Sequence, residues 1–181
     1  MKLFIEIGSN NYDTLNYLIH EGWKGVIVEP IKRVFNQIEK YSNCFYENIA
    51  ISEENGEAKF YFYDEITGWG SLNEEHNKKL SFNDKKLNIV KVKTMTFDKL
   101  CDKYNIKKID LLKIDAESYD AKIIKSIDFS RYDVKELIFE FEHLKKEELD
   151  DVKKYLYQNN FKKVKEKDSN LYFKKDDTHN L

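Results

Sequence analysis

Two cysteines, one proline and six glycines in 181 residues leave this chain short of the residues on which several common architectures depend. Cys44 and Cys101 lie far apart, with no CxxC pair and no Cys/His ligand spacing. This argues against a disulfide framework or a zinc finger and leaves two free thiols, the usual state in a reducing cytoplasm. No charge of one sign dominates: 31 Lys+Arg against 33 Asp+Glu give a net charge of −2. Such a chain has no global field to hold nucleic acid or an anionic membrane, so neither is expected as a partner. Long apolar runs are also missing. Met1-Lys2 leads straight into a strand-like segment that stops at Gly8, too short and wrongly flanked for a signal sequence or a membrane span. The lone proline, with abundant Lys, Asn, Ile and Tyr, matches the coding bias of an AT-rich genome and carries no functional weight. There is no internal repeat or heptad, and the lysine-rich stretches 145–154 and 162–167 are interleaved with Glu and Asp, as solvated faces are.

What is present is enough for one core. At 41% hydrophobic and 14% aromatic residues, the chain suits a single domain and is too short for two. Short runs rich in Ile, Val, Leu and Phe recur at Leu3–Ile7, Gly25–Val28, Phe45–Ile49, Ile109–Ile114 and Glu136–Phe141. Helix-length stretches at Tyr12–Glu21, Ile31–Tyr41 and Tyr119–Ile127 carry apolar residues three and four apart. The alternation predicts a parallel sheet with crossover helices. Asn11 or Asp13 is suited to cap the first helix, and Gly22 sits where it should end. Glu57–Tyr63 and Asn88–Lys93 alternate like edge strands around a polar segment, 64–87, expected to be a loop or irregular helix and read as a lid or loop insertion, with disorder as the alternative. A helix over Lys145–Gln158 and a hairpin turning at Asp168–Asn170 close the domain at about residue 175, leaving 176–181 as a tail.

In such a sheet, ligands collect where the strands end. Gly8 follows the first strand, where a missing Cβ permits a tight turn and close backbone approach. The two further glycines of the dinucleotide fingerprint are absent, which disfavours a nicotinamide-dependent oxidoreductase. Glu29 ends the second strand in Val26-Ile-Val-Glu-Pro30, about twenty residues after Gly8. A carboxylate there either accepts both hydroxyl hydrogens of a ribose or caps the helix that begins near Pro30.

These segments, together with Asn48-Ile-Ala-Ile-Ser52, Gly56-Glu-Ala-Lys-Phe-Tyr61, Gly70-Ser-Leu72 and Ile109-Asp-Leu-Leu-Lys-Ile-Asp-Ala-Glu117, resemble the FkbM family of S-adenosylmethionine-dependent methyltransferases from about Leu3 to His143. The resemblance implies an α/β, Rossmann-like class I methyltransferase sandwich, with a mostly parallel seven-stranded sheet and a C-terminal antiparallel hairpin. It implies that Glu6, Gly8, Ser9 and Asn10 line the methionine moiety and that Glu29 with Pro30 holds the ribose. Asn48, Ile49 and Ala50 would lie beside the adenine, Ser71 would join the cofactor set, and Asp115 and Glu117 would face the transferred methyl. The implied reaction is O-methylation of a hydroxyl on a sugar, glycan or related small molecule. This chain departs from the family pattern at Tyr12, where a second glycine is usual, and at Ser118 and Asp120, where a glycine and, two residues later, a glutamate are usual. Ser118 would strain a turn that prefers glycine.

A hydroxyl nucleophile must lose its proton as it attacks, and Asp115, Glu117 and His143 are the candidate acceptors. His143 follows Glu142 at the end of the fifth strand, and His76 and Trp69 in the middle segment are placed to close over a substrate. Asp115, Glu117 and Glu142 are also hard oxygen donors able to gather a divalent cation, although no metal ligand is assigned. Because the chain enters its first strand directly, cover for the acceptor is expected from the middle segment, a second copy in a homo-oligomer, or a partner chain. The alternative reading is a catalytically weak cofactor-binding module that serves as a partner subunit.

Overall fold

The computed structural model describes residues 1–10, 14–64, 66–80 and 85–176. Its elements, in chain order, are β1 (Leu3–Ile7), α1 (Asn16–His20), β2 (Lys24–Val28), α2 (Lys32–Phe35), β3 (Cys44–Glu47), β4 (Ala50–Ile51), β5 (Gly56–Tyr63), β6 (Ile66–Ser71), α3 (Glu74–Leu80), β7 (Leu87–Met95), α4 (Phe97–Lys103), β8 (Lys108–Ile114), α5 (Asp120–Ser126), β9 (Asp133–Glu140), α6 (Lys146–Gln158), β10 (Phe161–Lys167) and β11 (Asn170–Lys175).

Seven strands form the main sheet in the order β10-β11-β9-β8-β1-β2-β3. The five from β9 to β3 pair in parallel, and β11 runs antiparallel to both β9 and β10. This is the expected mostly parallel α/β sandwich with a terminal antiparallel hairpin. Asp168 and Ser169, both at positive φ, turn that hairpin with two residues. Alternation along each strand separates the two faces. Ile5, Ile7, Val26, Val28, Leu112 and Ile114 pack with Leu100 of α4, Ile124 of α5 and Leu156 of α6 on one face. Phe4, Ile27 and Leu111 pack with Leu18 and Ile19 of α1 on the other. That second face turns polar toward the strand ends, where Glu6, Lys113 and Glu140 take the alternate positions.

The region between β3 and α4 departs from the expectation. Phe45–Ile49 is not one strand: β3 stops at Glu47, and β4 joins a second, four-stranded sheet ordered β4-β7-β5-β6. Accordingly, β5 and β7 pair with each other rather than edging the main sheet. The segment expected to be a loop or irregular helix is ordered as β6 and α3. Gly70 makes β6 possible, because a Cβ there would sit 2.6 Å from the Phe60 ring. A further helix, α4, is capped by Thr96, whose hydroxyl accepts the Lys99 N–H.

Helices α1 and α2 are shorter than the apolar periodicity of 12–21 and 31–41 suggests, while α5 matches the expected 119–127 to within one residue at each end. The capping residues Asn11 and Asp13, and the departure at Tyr12, lie outside the described residues. At the other end of α1, Gly22 (φ +84°) ends the helix: its N–H bonds to Ile19 O and that of Trp23 to Leu18 O, a Schellman motif.

Candidate active site

The strand order reverses between β1 and β8, since β2 and β3 continue to one side and β9 to the other. The crevice at such a reversal is where open α/β sheets bind ligands. Here the two strand ends touch. A Cβ on Gly8 would lie 1.8 Å from the Asp115 carbonyl oxygen, and Gly8 has φ +77°. Glycine is therefore required twice over, by steric room and by backbone conformation. The close neighbour is protein backbone rather than a ligand.

On the β2 side, Glu29 is buried at the wall of a cavity shared with Gly8, Asn10, Pro30, Ile49 and Asp115. Asn10 N–H donates to Glu29 Oε2 at 2.9 Å and Ile31 N–H to Oε1 at 2.7 Å. The carboxylate thus braces both the loop after β1 and the start of α2. One lone pair remains on each oxygen. Burial pushes its pKa up to about 7, against the pull of the Ile31 and Asn10 N–H groups. Ile49, Ala50 and Ile51 give this cavity an apolar wall, and Thr67, Gly68 and Gly70 of β6 close it from the second sheet. Asn48 faces elsewhere: its amide donates to the Glu29 and Pro30 carbonyls at 2.8 and 3.0 Å, holding the strand end in shape. Ser71 is also off the cavity. Its hydroxyl donates to Ala116 O and accepts from Asn73 N–H, tying β6 to the turn after β8.

On the other side of Asp115 lies a polar cavity lined by Ser9, Thr14, Trp69, Lys113, Glu117 and Glu140. Glu6 sits beneath it. The β1–β8 register places Glu6 beside Lys113, whose ammonium lies 3.2 Å from Glu6 Oε1, 3.2 Å from Thr14 Oγ1 and 3.6 Å from Asp115 Oδ2. Burial works against the Lys113 charge, but Glu6 and Asp115 outweigh it and raise its pKa. Asp115 lines both cavities.

Beyond Asp115 the chain turns through two consecutive left-handed residues, Glu117 (φ +49°) and Ser118 (φ +71°). The strain anticipated at Ser118 is present in the backbone. Asp120, fully buried, holds this turn by accepting the Ala116 N–H, and Asn73 Nδ2 donates to Ser118 Oγ at 3.0 Å. The turn buries Glu117 between two imidazoles. His76 Nε2 is 3.5 Å and His143 Nε2 is 3.4 Å from Glu117 Oε2, with the two rings edge to face at 4.7 Å. Burial, with repulsion from Asp115 and Glu142, pushes Glu117 up to about 8. Burial, with repulsion from Glu117 and Asp115, pushes Glu140 up to about 9. Burial lowers both histidines.

Asp115, Glu117 and His143 are therefore brought together, while Glu142 is not: it points to the hairpin and accepts the Ser169 hydroxyl. Glu140, the last residue of β9, takes the place expected for Glu142, which lies two residues beyond it in the following loop. Sequence reasoning also missed Lys113 and Thr14. A lysine inside the apolar run Asp110-Leu-Leu-Lys-Ile114 was the available signal, since a buried cation requires a partner.

A family model described as the methyltransferase FkbM domain matches residues 6–163. No curated protein matches the sequence. Among solved structures, a ribosomal RNA methyltransferase from Plasmodium falciparum is similar over 95% of this chain and 84% of its own, at 13% identity and a TM-score of 0.49.

Proposed function

The chain belongs to the FkbM methyltransferase domain family, and from that premise we propose that it transfers the methyl group of S-adenosylmethionine to a hydroxyl of a sugar, glycan or related small molecule. The observation that carries this reading is the position of Asp115. Its carboxylate borders both the cavity that holds Glu29 and the acidic cavity that holds Glu117 and Glu140, so one side chain faces both halves of a two-substrate site.

The residues fit the cofactor. Glu29 retains a lone pair on each oxygen for two ribose hydroxyls, and Ile49, Ala50 and Ile51 offer an apolar wall to a base. Gly8, Ser9 and Asn10 form the loop between the two cavities, where the methionine end belongs, with Glu6 and Lys113 supporting it from below. S-adenosylmethionine, when bound, supplies a methyl carbon on a sulfonium sulfur, open to in-line attack by an acceptor oxygen. The chain's own work is then positioning and proton removal. We assign the base to Asp115, partly exposed and oriented by the Lys113 ammonium. Glu117 and His143 border the acceptor, with the hairpin-like cover of β6 and α3 bringing Trp69 and His76 over it.

Among the described residues no helix is long and apolar enough to cross a membrane, and the two free thiols suit a cytoplasmic setting. The test is transfer of radiolabelled methyl from S-adenosylmethionine to a panel of sugars and oligosaccharides. Labelling of an acceptor hydroxyl that is lost in Asp115→Asn is the expected result. Cofactor binding with no turnover on any acceptor would favour a partner-subunit role, and labelling confined to RNA would overturn the small-molecule assignment.

A further inference from the structure

We propose that Glu117, Glu140 and His143, with His76 beside them, form a binding site for one divalent first-row transition-metal ion of the Mn2+, Fe2+, Co2+ and Zn2+ class. One donor atom from each of Glu117, Glu140 and His143 lies within 4.8 Å of the others, and His76 Nε2 approaches the same Glu117 oxygen. The four residues come from separate segments: α3, the left-handed turn after β8, the end of β9 and the loop that follows it.

The separations are those of ligands around an ion rather than of hydrogen-bonded partners. An N–H···O bond spans roughly 2.7–3.2 Å, whereas His76 and His143 stand 3.5 and 3.4 Å from Glu117 Oε2. Donors about 2.1 Å from a common ion in tetrahedral arrangement are about 3.4 Å apart. Burial supplies an independent observation. The His76 and Glu117 side chains are only 5% and 7% exposed, and His76 Nε2, Glu117 Oε2 and Glu140 Oε2 find no hydrogen-bond partner among the described residues. Such orphaned atoms are uncommon in a folded interior, where buried polar groups are nearly always satisfied. A cation held by Glu117 and Glu140 would satisfy both carboxylates. Lys113, the buried ammonium of this region, is engaged by Glu6 and Asp115 instead.

The donor set selects the ion. An imidazole nitrogen beside two carboxylates suits first-row transition metals, while Mg2+ favours oxygen donors and its own waters. The location fits an open coordination position. Glu117 and Glu140 line the cavity that contains Asp115, and His143, about a quarter exposed, opens with His76 and Ser118 onto a surface cleft on the far side. An acceptor hydroxyl bound at that position would lose its proton more readily. That last role rests on the methyl-transfer reading; ion binding does not.

The experiment is titration of the chelator-treated full chain with Co2+, followed by calorimetry and by ligand-field absorption, and repeated with Mg2+. Saturation at one equivalent is expected, with Mg2+ at least about tenfold weaker. Glu117→Gln and His143→Ala should each weaken Co2+ binding at least about tenfold while keeping the far-ultraviolet circular dichroism of the parent. Should Glu117→Gln fail to fold, the partly exposed His143 decides. Absence of saturable binding, unchanged affinity in a folded variant, or a thiolate-to-cobalt charge-transfer band pointing to Cys44 would each overturn the assignment. S-adenosylmethionine titrated into the same metal-free samples separates the two proposals. Binding there without any metal uptake sinks this inference alone.

Discussion

Replacing Lys113 by methionine should destabilise the protein far more than an ordinary lysine substitution, and the structure supplies the magnitude. Its ammonium serves Glu6, Thr14 and Asp115 at 3.2, 3.2 and 3.6 Å, and the Glu6 side chain is only 4% exposed. Removing one member of a buried ion pair strands the other charge and costs about 3–5 kcal/mol. For a chain of this size, about 3 kcal/mol lowers the melting temperature by roughly 6–12 °C. Glu6→Leu should cost somewhat less, about 2–3 kcal/mol, because Lys113 keeps Asp115 as a partner. The double variant Glu6→Leu/Lys113→Met removes both charges and should cost only about 1–2 kcal/mol, chiefly the orphaned Thr14 hydroxyl. Urea unfolding followed by circular dichroism gives the cycle directly, with an expected coupling of about 5 kcal/mol. Two single variants that each cost under about 1 kcal/mol, or a double variant equal to their sum, would refute the reasoning.

Other consequences can be measured on the same preparation. Gly8→Ala places a Cβ against the Asp115 carbonyl and imposes a positive φ on a side chain. It should cost more than about 3 kcal/mol or abolish folding, as seen by urea titration. Ser118→Gly and Ser118→Ala both lose the Asn73 hydrogen bond, but only alanine keeps the strained left-handed conformation. Glycine should therefore be the more stable of the two by about 1 kcal/mol in thermal melts, and equal melting temperatures would contradict the strain. Glu29, with its pKa raised to about 7, holds its proton in the folded state after the unfolded chain has released it at about 4.5. Its contribution to stability thus falls as pH rises through that window, by up to about 3 kcal/mol. Ribose hydroxyls prefer the ionised form, so cofactor affinity should tighten about tenfold between about pH 6 and pH 8, a dependence absent from Glu29→Gln in calorimetry.

The main sheet was legible because its strands are apolar on both faces: Leu3–Ile7 reads as a buried strand and is one. The second sheet was not. Isolated from its partners, Ile66–Ser71 has two glycines and no apolar alternation; it is a strand through its pairing with β5, where the Phe60 ring lies over Gly70. Helix α3 is polar along its length and buries His76 and Asn77 rather than an apolar stripe, so periodicity does not reveal it. Around the site, His143 and Glu117 could be brought together on paper because each follows the carboxyl end of a neighbouring strand. Glu140 could not be told from Glu142, because residues two apart share a strand face; what separates them is that β9 ends at Glu140 and that Glu142, beyond it, is drawn to Ser169 of the hairpin. His76 reaches the cluster only through the fold of the second sheet.

Calorimetric titration with S-adenosylmethionine and S-adenosylhomocysteine, on the wild type and on Glu29→Ala, tests the central claim most directly. The account predicts one site per chain with micromolar affinity for both ligands, weakened at least about a hundredfold by the substitution, as expected for two lost charge-assisted hydrogen bonds. Absence of binding by the folded wild type, or equal affinity in the folded variant, would contradict it.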